Sequence, residues 1–217
     1  EQSMDFRLLG TRRSDDRGDA RALQINEQDE LFIAQGMPAY AEMTRQGDGW
    51  TVQTSTLLTP DAAYPGTNAS LEVFNNFPGW TIVVAEVFAA EVLSTAVAHA
   101  SQIFAMVTTK KAAPSLGALV LASLNGRNAI TPTANGPIIT AVGTTVVANG
   151  WRPWGAGIGW GVAAATPGMA YSARVDGMLQ APYQCSVCLT PMNSVATASS
   201  FQVGMTFYLV RQESRLT

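Results

Sequence analysis

One histidine and two cysteines are the whole stock of soft metal ligands in this 217-residue chain. His99, Cys185 and Cys188 fall short of the four nitrogen or sulfur ligands that a structural zinc site needs, so no metal and no redox cofactor are expected. The cysteines lie in "APYQCSVCLTPMN", which alternates like a strand. Residues three apart on a strand point to opposite faces, so both thiols are expected to be reduced packing groups and not a disulfide. Charge is scarce as well, at 13% of residues with a net of -3. Without a clustered excess of Lys and Arg, nucleic acid is excluded as a partner. Uninterrupted apolar sequence is also missing. The longest apolar stretch, "WTIVVAEVFAAEVLSTAVAHASQIFAMVTT" from Trp80, is broken by Glu86, Glu91 and His99, which argues against a membrane-spanning helix. The first residues, "EQSMDFRLLGTRRSDDRGD", carry charge at once and lack the apolar core of a secretory signal.

Catalytic patterns are equally sparse. No serine lies in Gly-x-Ser-x-Gly, and His99 has no neighbouring acid in the sequence to orient its imidazole, so it reads as a packed or rim residue. Glu86 and Glu91 would suit a glycosidase pair, but a separation of five puts them on opposite faces of a strand unless a bulge intervenes between them. The glycines of "GWRPWGAGIGWG" fall at 155, 157, 159 and 161. This alternation departs from the Gly-x-Gly-x-x-Gly of a dinucleotide loop, and no helix follows it. No enzymatic constellation emerges.

What is present is an uneven distribution of charge and a long series of β-like runs. Sixteen of the 29 charged side chains fall in the first 50 residues. Residues 1–30 therefore read as an extended, solvated N-terminal arm, flexible until a partner orders it. Within the arm, Phe6, Leu8 and Leu9 form an apolar cluster suited to a partner's groove, with Arg12 and Arg13 suited to its rim. Arg17, Gly18 and Asp19 spell the RGD adhesion tripeptide, which also reads as a solvated turn. Residues 31–65 are expected to hold a β-hairpin, Tyr40–Arg45 and Trp50–Thr56 around "QGDG". Further strands are expected at Ser70–Asn75, Thr81–Val92, Ser101–Thr108, Leu116–Leu124, Thr144–Trp151, Met169–Val175, Tyr183–Leu189 and Phe201–Arg211, with a helical turn over Val92–Ala100. Runs of this kind predict an all-β fold, an antiparallel β-sandwich over residues 66–217. In "GWRPWGAGIGWG", Pro153 predicts a turn after a strand ending at Trp151, and the glycines an extended edge or loop approached by another backbone. Trp151, Trp154 and Trp160 suit either closure of one end of the sandwich, a partner interface, or a carbohydrate platform.

The charged arm, the opening hairpin "LFIAQGMPAYAEMTRQGDGWTVQTS" and the charge-poor, Ala/Thr/Gly-rich region from Ser70 to Val210 together resemble tailed-bacteriophage virion proteins, most nearly the jelly-roll cement or decoration proteins. The resemblance implies a jelly-roll-like sandwich forming a homotrimer on the capsid surface of the virion. It also implies attachment to the major capsid protein, with the arm reaching across neighbouring subunits, and neither cofactor nor catalysis. The hairpin before the main β region departs from a bare jelly roll. A carbohydrate- or receptor-binding sandwich of a phage fibre or adhesin fits the same fold class. A β-sandwich hydrolase is a third reading, disfavoured by the missing catalytic residues.

Overall fold

The computed structural model describes residues 47–94, 98–109, 122–125, 138–147, 150–160, 169–195 and 199–211, with short pieces at 9–10, 21–22, 41 and 43–44. The chain divides into two units, residues 1–37 and 38–217. In the first, Leu9–Gly10 (β1) pairs antiparallel with Arg21–Ala22 (β2). The remainder of the expected arm, including Phe6, Leu8, Arg12, Arg13 and the RGD tripeptide, lies outside the described residues.

The second unit is an all-β sandwich of two antiparallel sheets. Its strands are Gly49–Gln53 (β3), Asn68–Asn75 (β4), Trp80–Ser94 (β5), His99–Thr109 (β6), Ala122–Asn125 (β7) and Ile138–Thr145 (β8). They continue with Arg152–Trp160 (β9), Met169–Arg174 (β10), Gln180–Ala181 (β11), Cys185–Asn193 (β12) and Ser199–Arg211 (β13). One sheet runs β10-β5-β13-β3-β7, with β11 added to β5, and the other runs β8-β4-β12-β6-β9. The pairings nest: β3 with β13, β4 with β12, β5 with β10 and β6 with β9. Strands distant in sequence are thereby neighbours, and β7 and β8, which come between β6 and β9 in the chain, extend the outer edges beside β3 and β4.

Period-two burial builds the core. Along β13, Phe201, Val203, Met205, Phe207 and Leu209 point inward, and they meet Leu71, Val73, Ile103, Val187 and Leu189 of the facing sheet. Strand β5 reaches the same core by a less regular route. Its register against β13 shifts at Ala85 and again at Val92. The first bulge changes which parity faces inward, from Ile82 and Val84 to Val87, Ala89 and Glu91. No bulge lies between Glu86 and Glu91, so the two carboxylates do point to opposite faces of the sheet.

Several expectations are corrected. The turn "QGDG" does not close a hairpin: Ala41, Met43 and Thr44 are helical. Gly47, at φ +94, donates to the Thr44 carbonyl, and Asp48 donates to that of Met43. That hydrogen-bond pair is the Schellman ending of a helix, which a glycine in the left-handed region permits. Strand β3 pairs instead with β13 and β7. It belongs to the sandwich, and of the expected hairpin region before residue 47 only 41, 43 and 44 are among the described residues. The strand expected at Thr144–Trp151 is split, because β8 ends at Thr145 and β9 begins at Arg152, with Gly150 at φ +96 between them. The helical turn expected at Val92–Ala100 is extended where it is described, since β5 runs to Ser94 and β6 starts at His99. Of the run Leu116–Leu124, Ala122 to Leu124 lie in β7 and the earlier residues are outside the described set.

Candidate functional site

The glycine- and tryptophan-rich stretch forms β9, which among the described residues is the outer edge of its sheet and pairs only with β6. Pro153 opposes Phe104 and lies within the strand, where an edge tolerates the missing N–H. Between the pairs Ser101 with Ile158 and Ile103 with Trp154, three residues of β9 stand against Gln102 alone. The bulge leaves carbonyls without strand partners, and the Gln102 amide supplies them, donating to Trp154 O at 2.8 Å and Gly155 O at 3.1 Å. Gly155 sits at φ +70, and a Cβ there would lie 2.9 Å from the Cβ of Ala173 on β10. The glycines thus let β9 bulge and close against the other sheet, consistent with the expected close backbone approach.

Trp151 and Trp154 are packed rather than displayed. Trp151, 3% exposed, lies with Phe104, Met106, Val146 and Cys188 in a second cluster on the outer face of the β8-β4-β12-β6-β9 sheet. Its indole N–H donates to Gly66 O at 2.9 Å, and its carbonyl accepts the Tyr64 hydroxyl at 2.6 Å. Trp154 is half-buried against the main core. Trp160 is in register with His99, and its side chain lies outside the described residues. The structure therefore brings Trp151 and Trp154 into the packing, with no exposed platform formed by either. Cys185 and Cys188 are buried and not joined in a disulfide, the first in the inner core and the second in the outer cluster.

At one end of the sandwich the core turns polar. Glu91 on β5 approaches His99 on β6, with Oε1 and Nε2 3.0 Å apart and the side chains 3% and 1% exposed. The two groups lie in close polar contact across the two sheets. This acid partner is one that the sequence did not nominate. Beside it, Asn193 of β12 donates to Ser101 Oγ at 3.1 Å and to Ser199 Oγ at 2.5 Å, again linking the sheets. Tyr171 of β10 completes the layer, its ring edge-on to Phe201. Burial first, and the Glu91 charge second, push its phenol well above the usual tyrosine range. A carboxylate, an imidazole and a phenol together could move protons, but all three are enclosed.

A third feature lies on the surface. Two cavities of about 370 and 270 Å³ share Asp61 and Asn68, with Tyr64 and Thr67 on one and Thr59 and Ser70 on the other. Nothing periodic in "TPDAAYPGTN" announces this groove. Among the described residues, no group of three or more His, Cys, Asp or Glu is placed to hold a metal ion. Among the same residues, no helix is long and apolar enough to cross a membrane. Comparison with protein-family models, curated proteins and solved structures finds no match to this chain.

Proposed function

We propose that this chain is a structural virion protein of jelly-roll type that binds the outside of a phage capsid as a cement or decoration subunit. The observation that carries the reading is the nested pairing of β3 with β13, β4 with β12, β5 with β10 and β6 with β9. One long antiparallel hairpin wound over two sheets has this order, which is the jelly-roll wind found in viral capsid and lectin domains. Surface chemistry adds support. Only ten charged residues occur between Thr51 and Val210. Leu57, Leu93, Val147 and Met178 are exposed apolar side chains on the sandwich. Such a surface is buried against protein with little desolvation of charge, as suits a homotrimer docked on a major capsid protein.

Co-sedimentation of the full-length protein with capsids lacking it, together with light scattering of the free protein, tests the reading. Retention on capsids and a trimer mass are expected. A protein that stays monomeric at micromolar concentration and remains in the supernatant overturns it. A second reading, a carbohydrate- or receptor-binding sandwich, is favoured by one observation, the polar groove at Asp61.

A further inference from the structure

We infer that the groove centred on Asp61 and Asn68 is a binding site for a neutral saccharide. Asp61 is presented by fixed backbone: its N–H donates to Pro191 O at 3.0 Å and its carbonyl accepts from Asn193 at 2.9 Å. The side chain is partly desolvated, and burial raises its carboxyl above the usual range. Among the described residues no side chain donates to that carboxylate, and Asp61 lines both cavities, so its acceptor capacity is open to a ligand. The lining contains no Lys or Arg, which argues against an anionic ligand. Three of its carbonyl oxygens are also already engaged, which makes it a poorer site for a hard cation. The carbonyls of Gly66, Thr67 and Asn68 already accept from Trp151 Nε1, the Val146 N–H and Thr190 Oγ1.

What remains is a mixture of amide and hydroxyl groups, able both to give and to accept, beside an acceptor carboxylate. Sugar hydroxyls have the same dual character. Tyr64 supplies the apolar surface. Its hydroxyl is tied to Trp151 O and its ring stands edge-on to Phe104 at 5.4 Å, which fixes the ring while leaving the residue 62% exposed. An immobilised aromatic face next to a few polar groups is the usual composition of a small-molecule site.

The test begins by passing full-length protein over an immobilised panel of neutral glycans and titrating the isotope-labelled protein with the best binder. Parallel titrations use calcium chloride and a tri-arginine peptide. Saturable shifts at Asn68 and Gly66 with a saccharide are expected, weakened about tenfold or more by Asp61→Asn and by Tyr64→Ala. Tyr183→Ala, an exposed tyrosine elsewhere, leaves binding unchanged. Because Tyr64→Ala also removes the bond to Trp151, the shape-preserving Asp61→Asn decides. Wild-type affinity falls on acidification as the carboxylate is protonated, whereas the Asn variant does not follow pH. If no glycan is retained, or if calcium or the peptide alone saturates the groove, the inference fails. Capsid attachment is read by a different experiment, so either result stands without the other.

Discussion

Glu91 Oε1 and His99 Nε2 lie 3.0 Å apart across the two sheets, and both side chains are almost fully enclosed. Removing one member of such a pair leaves the other buried without its counterpart, which typically costs about 3–5 kcal/mol. Glu91→Ala and His99→Ala are each expected to lower unfolding free energy by an amount of this order. The double variant should lose clearly less than the sum, because no orphaned group remains. Denaturant unfolding of the four proteins measures the coupling. Strict additivity would mean that the two groups do not interact.

Tyr171 gives the same layer an alkaline signature. Its phenol is raised above the ordinary value of 10.0, by burial first and by the charge of Glu91 second. A phenol raised in the folded state contributes stability that is present below pH 10.0 and is lost as pH rises above it, because the unfolded chain ionises first. The wild type is expected to weaken above that pH. Tyr171→Phe should weaken less, with little loss at neutral pH, since the hydroxyl has no hydrogen-bond partner among the described residues. Urea unfolding across alkaline pH, followed alongside tyrosine ionisation by ultraviolet absorbance, checks the difference. Equal slopes for the two proteins would count against it.

The sequence was most informative where burial follows a simple period. Strands β6, β10 and β13 stand close to their expected places, because alternating apolar residues in Phe201–Leu209 and around Ile103 report the inward face directly. It was least informative where one residue resets the pattern. The bulge at Ala85 sends Glu91 inward, and no composition around Ala85 reveals it. That is why the sequence pairs no acid with His99, although Glu91 lies eight residues away. Gly47 fits a hairpin turn by sequence and is a helix ending in the fold, since a glycine in the left-handed region serves both. The groove at Asp61 had no signal at all, being assembled from a connecting segment and the ends of β4 and β8.

Cys185 and Cys188 should behave as two buried, separate thiols. They occupy opposite faces of β12, and burial pushes the Cys185 thiol up, which lowers its thiolate fraction at neutral pH. Native protein is expected to react slowly with a thiol reagent such as dithionitrobenzoate, and unfolded protein to release two equivalents rapidly. Fast labelling of both thiols in the native state would contradict the placement of β12 between β4 and β6.

The glycines of β9 and of the groove should respond oppositely to the same substitution. Gly155 combines φ +70 with a position where a Cβ would meet Ala173 at 2.9 Å, so alanine there faces both backbone strain and a steric conflict with β10. Each effect is of the order of 1–3 kcal/mol, and Gly155→Ala is expected to destabilise by at least about that much. Gly66 has no positive φ, and a Cβ there meets nothing within 4 Å. Gly66→Ala mainly restricts the unfolded chain and should therefore be neutral or stabilising by up to about 1 kcal/mol. Thermal unfolding of the two variants beside the wild type reads the contrast directly. If Gly155→Ala were as stable as the wild type, β9 would not be held against β10 by the bulge, and the glycine repeat would need another explanation.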